Sequence, residues 1–297
     1  MRSAPIGKTP PVTIRRQALF EGEPIPWAAT GGPLSDGVFE VEMDGGFSIA
    51  EGVCNGGYVL AVLHQVARAG LVEVGASTTS AAAVSSQFLA PTAPGAATVC
   101  LTRMRTGRTL SRVEVELESG GRPAVRAVFL FLPPADPARP VWRSVGPPVL
   151  AAQPDCRPMP TMRGDTAWPT MYQDRIELLV DPATSGFLDG EPSGRGEIRT
   201  WWSSRQPRVA DAGLLLLALD AMPPGTMELE GVVNGSPTVQ LEARLYCDEA
   251  GLRSVSGPFV VRQQVLTAGA VTADQVCEVW DRSGRFLASA TQVNWLL

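Results

Sequence analysis

The chain has 297 residues, of which 44% are hydrophobic and 19% charged. That is room for two domains of roughly 100–150 residues, and too apolar for disorder. The net charge of −5 argues against nucleic acid, which needs a basic surface, but not against a local basic patch for a phosphorylated carrier. Met1–Thr13 has no apolar core of signal-peptide length, and the longest apolar run, Ala212–Leu219, is far short of the roughly 20 residues that cross a bilayer. Cys54, Cys100, Cys156, Cys247 and Cys277 are scattered without a CxxC pair, which argues against a zinc site and a disulfide framework. A cytoplasmic protein with free, mostly buried thiols, no metal, no cofactor and no membrane contact is expected.

In chain order, Met1–Thr30 is a polar, proline-rich lead-in, and Gly37–Met43 alternates apolar and charged residues as a half-buried strand does. A glycine-rich turn, Gly52–Tyr58, opens an apolar run, Gly57–Ala69, that reads as a helix buried all round. Ser77–Ala90, Thr98–Arg105, Ser111–Glu118 and Pro123–Leu132 read as strands. Pro133–Pro169 lacks periodicity and reads as a linker wrapping across two domains. The expected division is residues 1–135 as an N-terminal domain with its lead-in, 136–170 as linker and 171–297 as a C-terminal domain. In the second half, Asp174–Leu179 is expected to be an edge strand, followed by a strand over Gly194–Ser203. A second buried helix over Val209–Met222 is stopped by Pro223 and Pro224, because proline cannot continue a helix. Thr238–Tyr246, Phe259–Ala268, Gln275–Asp281 and Phe286–Leu296 complete a second set of strands.

The two halves therefore say nearly the same thing. The closing hairpins Val113–Phe129 and Val276–Gln292 align when Gly121-Arg122 is laid on Gly284-Arg285, which puts Ala127 on Ala290 and Phe129 on Gln292. The copies differ at one place of interest: Val128 and Phe129 close the first, Thr291 and Gln292 the second. The stretch of the first helix expected to match Asp220, around Gln65–Ala69, carries no carboxylate. A polar pair on one copy only predicts that the second half carries the chemistry, with one active site per chain and an apolar mirror site closed by Phe129.

Asn55-Gly-Gly-Tyr-Val-Leu-Ala at the first helix, Leu217-Ala-Leu-Asp-Ala-Met-Pro-Pro at the second and Leu287-Ala-Ser-Ala-Thr-Gln in the last strand together resemble the acyl-CoA thioesterase II (TesB-like) family and its thioesterase-like relatives. The resemblance covers about Gly37–Leu132 and Arg175–Leu297. It implies an α+β fold, a tandem (double) hotdog in which two antiparallel sheets each wrap a central helix. It also implies hydrolysis of an acyl-CoA or acyl-carrier-protein thioester without a covalent intermediate, by a water held between an aspartate, a hydroxyl residue and a glutamine. Carried over by position, these are Asp220, Thr238 and Gln292. Where the family tends to follow the hydroxyl residue with an acidic-histidine pair, this chain has Val239-Gln240-Leu241.

These residue types suit the task. Thioester hydrolysis needs an oriented water, a base and donors for the oxyanion. A partly buried carboxylate at a helix end can have a raised pKa. The backbone N–H groups of Gly56, Gly57 and Tyr58, at a helix start, are candidates for substrate binding or for oxyanion donation. His64, the only histidine, lies within the apolar helix and reads as a core residue. No GxSxG elbow, Walker A or Rossmann glycine pattern occurs. Another acyl-thioester enzyme of the same fold (an acyltransferase, decarboxylase or dehydratase) and a non-catalytic acyl-binding protein stay open, as does homo-oligomerisation.

Overall fold

The structure is a computed structural model that describes residues 33–35, 37–134, 142–160, 162–163, 166–167, 169–230 and 236–296. The lead-in Met1–Thr30 and part of the linker lie outside the described residues. The first half runs β1 (Pro33–Ser35), β2 (Val38–Met43), a short hairpin of β3 (Ser48–Ala50) and β4 (Val53–Cys54), and α1 (Gly56–Glu73). It continues through β5 (Ser80–Phe88), β6 (Gly95–Arg105), β7 (Ser111–Ser119) and β8 (Arg122–Leu132). The connection carries β9 (Arg157–Pro158), the hairpin β10 (Met162–Arg163) and β11 (Thr166–Ala167), and α2 (Thr170–Asp174). The second half follows with β12 (Ile176–Val180), β13 (Glu197–Ser204) and α3 (Ala212–Asp220), then β14 (Thr238–Leu245), the single turn α4 (Glu249–Leu252), β15 (Phe259–Ala268), β16 (Thr272–Trp280) and β17 (Phe286–Trp295).

Thirteen strands form one antiparallel sheet in the order β1-β2-β6-β7-β8-β5-β14-β17-β16-β15-β13-β12-β9. Read outward from the central β5–β14 pair, each half repeats the other: β8 matches β17, β7 matches β16, β6 matches β15 and β2 matches β13. The two repeats thus join edge to edge, each using a strand that would otherwise expose unpaired backbone groups. One expectation changes at the far edge: the strand at Ile176–Val180 is not terminal, because β9 of the connection pairs with it. The described part of the connection touches both halves: Trp201 Nε1 donates to Ala151 O (2.9 Å) and Arg143 pairs with Glu278 while stacking over Phe286, whereas α2 packs on the Gly45–Phe47 turn and β3 of the first half as well as on β12. A stretch without periodicity gives no sign of which surface it will cover.

Both helices are buried nearly all round, as their sequences require. Asn55 caps α1 by accepting from Tyr58 N (2.9 Å), and Asp211 caps α3 by accepting from Leu214 N (2.7 Å). α1 packs on β6, β7 and β8, α3 on β14, β16 and β17, and the helices pack on each other. One large apolar core runs through both halves, and Val260, Trp280 and Phe286 form a smaller separate cluster. At Gly57 a Cβ would lie 2.5 Å from Leu216 O and 2.9 Å from Asp220 Cβ. Glycine there lets the start of α1 press against the end of α3.

Candidate active site

That contact brings the two helix ends together. Asp220 is the last residue of α3, where unsatisfied carbonyls disfavour a negative charge. It also faces the first turn of α1, where free N–H groups favour one. Its Oδ2 accepts from Gly57 N (2.8 Å) and from Asn55 Nδ2 (3.2 Å), and Asn55 Nδ2 also donates to Asp220 O (2.9 Å). Its Oδ1 accepts from Thr238 Oγ1 (3.3 Å) and from Gln292 Nε2 (3.2 Å), both longer than the bond from Gly57 N. Burial raises the carboxyl to about 6, even though the bonds from Gly57, Thr238, Asn55 and Gly56 pull in the opposite direction. The side chain nevertheless keeps some solvent exposure. One oxygen is thus clamped, while the other sits among weaker donors. Those bonds are of the length found at a site that tightens once a water or substrate enters.

Thr238 starts β14 beside a register shift between Thr238 and Gln240, and pairs across the ladder with Asn294. Gln292 lies at the middle of β17, buried, with its Nε2 also donating to Leu219 O (3.0 Å). Thr238 and Gln292 therefore both reach Asp220, with Gly56 and Gly57 against the carboxylate. Tyr58 is placed differently. Its ring stacks on Phe47 (4.4 Å between centroids) and its hydroxyl accepts from Asp44 N (2.8 Å). The first-turn donors are also committed: Gly57 N to Asp220 and Tyr58 N to Asn55. In this state they hold the carboxylate rather than await an oxyanion.

Asn55 escaped the sequence-based site. Its signal was an Asn before Gly-Gly at a helix start, the mark of an N-cap, and here it both caps α1 and grips Asp220. Tyr172, from α2, was missed too. It is buried within the field of Asp220, which together with burial drives its phenol well above the ordinary range. Nothing in the connection's sequence marked it.

The mirror position is the reverse in character. Counting from the helix caps, Asp211 to Asp220 runs parallel to Asn55 to His64, so His64, not the Gln65–Ala69 stretch, is the counterpart of Asp220. It lies against Phe129 (6.0 Å) and Phe131 (5.8 Å). Burial, with a smaller effect of Arg68, lowers its pKa to about 3, and its Nε2 lacks a partner. His64 is a neutral core residue.

The described residues contain no helix long and apolar enough to cross a membrane. No curated protein sequence matches the chain. Among solved structures, a conserved protein of unknown function with hot dog fold from Alicyclobacillus acidocaldarius has a TM-score of 0.77 at 16% identity, covering 91% of this chain and 96% of that one. A candidate thioesterase II from Thermobifida fusca YX has a TM-score of 0.76 at 22% identity over 91% of this chain and 96% of that one. The acyl-CoA thioesterase II TesB2 from Mycobacterium marinum has a TM-score of 0.64 at 12% identity over 91% and 95%. At these identities the likeness shows the fold, a double hotdog. Sequence-family models go further: that of the acyl-CoA thioesterase N-terminal domain matches residues 44–132, and that of the C-terminal domain matches residues 153–296. Matched in both halves and in their order, the chain belongs to the acyl-CoA thioesterase family.

Proposed function

We propose that this chain hydrolyses acyl-CoA thioesters with a water activated by Asp220. The observation that carries the reading is the convergence of the Thr238 hydroxyl and the Gln292 amide on Asp220 Oδ1, while Gly57 and Asn55 fix Oδ2. A water entering among Oδ1, Thr238 and Gln292 would give its proton to Oδ1 as its oxygen attacks the thioester carbon. Collapse of the tetrahedral adduct breaks the C–S bond. The proton taken by Asp220 leaves on the thiol, and the acyl group departs as the acid, which gives the second proton of the water to bulk solvent and ionises to the carboxylate. A carboxyl titrating near 6 is a stronger base than an ordinary aspartate and is still largely ionised at neutral pH. The core placement of His64 supplies no imidazole to this centre, which favours hydrolysis over the histidine-dependent dehydration weighed from sequence.

Free-thiol release from a panel of acyl-CoAs, from short to long and including polar acyl groups, tests the proposal. Asp220→Asn should lower kcat by at least about 10³-fold on the best substrate, because an amide cannot take the proton from water. An Asp220→Asn enzyme with the parent rate would overturn the assignment.

A further inference from the structure

Beneath Asp220 the sheet carries a ladder of amides that the sequence did not announce. Gln263, Gln275, Gln292 and Asn294 are 1–5% exposed. Gln263 Nε2 donates to Gln292 Oε1 (3.3 Å), and Gln292 Nε2 donates to Asp220 Oδ1. Gln263 Nε2 also donates to Gln275 Oε1 (3.1 Å), Gln275 Nε2 to Asn294 Oδ1 (2.9 Å), and Asn294 Nδ2 to Thr238 Oγ1 (3.1 Å), which donates to Asp220 Oδ1. Gly225 N and Ser236 O fix the directions of two members, by donating to Gln275 Oε1 and accepting from Asn294 Nδ2. Turning Gln263 over would set its carbonyl against two other carbonyls. Both arms therefore begin at Gln263 and end on one carboxylate oxygen.

The first half shows that the fold does not need this. By the ladder registers, Gln292 matches Phe129, Gln275 matches Val113, Asn294 matches Phe131, Thr238 matches Ala81 and Gln263 matches Leu101. The same architecture packs there with apolar side chains, which costs no desolvation of amides. The ladder also leaves Gln263 Oε1 buried with no hydrogen-bond partner among the described residues, a cost with no structural return.

We infer that Gln263, Gln275 and Asn294 are positioning residues for hydrolysis, which orient the Gln292 amide and the Thr238 hydroxyl so that both donate to Asp220 Oδ1. The inference rests on the reading of Asp220 as the base. Without Gln263, the Gln292 carbonyl loses its donor, and Leu219 O and Asp220 alone are left to set the direction of its amide. Without Asn294, the Thr238 hydroxyl is free to rotate. The other titratable groups that face Asp220 are Tyr172 on α2 and Cys277 on β16. Burial and Asp220 itself raise both, so neither charges in the pH range of the test.

The test is Gln263→Met, alone and combined with Gln292→Met, assayed for kcat, KM and pH profile on the best acyl-CoA. Expected for Gln263→Met are a cooperative melt, an unchanged KM and a kcat lower by about tenfold. The acid limb should move upward by about one unit, as an anion that loses a donor is harder to keep charged. In the Gln292→Met background the substitution should cost clearly less than in the parent, because only the arm through Thr238 remains for it to disturb. Parent kinetics in Gln263→Met, alongside an inactive Asp220→Asn, would overturn the inference and leave the site standing; an active Asp220→Asn would overturn both. Asn294→Met probes the other arm through Thr238. If neither Met variant folds, the ladder is a stability element and the inference fails.

Discussion

Asp220 is held in a conflict that a functional carboxylate can exploit. Its pKa lies near 6 in the folded protein against 3.8 for the ordinary group, with burial the main cause. Between these values the native state binds more protons than the unfolded chain. This group's contribution to stability is therefore greatest below about pH 4 and is lost as pH rises through about 6. At pH 7.5 the buried charge costs up to about 3 kcal/mol. Asp220→Asn is accordingly expected to be inactive yet at least as stable as the parent at pH 7.5, the difference vanishing near pH 4, which urea melts at both pH values would measure. Wild-type activity should fall with an acid limb near pH 6, and a rate flat from pH 5 to 8 would remove Asp220 from the base role. Gln292→Ala should slow turnover by about 10²–10³-fold if its amide positions water or oxyanion, with little change in KM.

At the scale of elements, the site is a helix–helix joint. The start of α1 and the end of α3 oppose complementary partial charges, and Asp220 bridges them through Gly57 N. Gly57→Ala puts a methyl group 2.5 Å from Leu216 O and must push the helices apart. A loss of about 1–3 kcal/mol is expected from overpacking. kcat should fall by more than the folded fraction explains, since Asp220 moves with α3; chemical denaturation and active-site titration separate the two. An unchanged stability would contradict the tight approach of the two helices at this point. The β14 register shift at Thr238 has its counterpart in β5, between Ala81 and Ala83. The irregularity therefore belongs to the repeat, and the second half uses it to turn Thr238 toward Asp220.

At the scale of the molecule, the proposed function makes one of two equivalent positions chemical and the other packing. Asp220, Thr238 and Gln292 occupy the positions that His64, Ala81 and Phe129 fill in the other half. Titration with a non-hydrolysable acyl-CoA thioether should give one ligand per chain, and two would contradict this division. Phe129→Ala should cost about 3–5 kcal/mol in a denaturant melt while leaving kcat per folded molecule close to the parent value. The repeat, both central helices, most strand limits and the contrast of Gln292 with Phe129 were legible in the sequence, because periodicity, caps and glycine-bounded hairpins are local. The helix-to-helix correspondence is legible too once both helices are counted from Asn55 and Asp211, which puts His64 rather than the Gln65–Ala69 stretch opposite Asp220. The grip of Asn55 and Gly57 on Asp220, the departure of Tyr58 toward Asp44, and the amide ladder were not legible. They depend on which residues of distant strands share a layer, and on which helix ends meet. Register and helix approach are set by long-range packing, so only the tertiary structure could decide them.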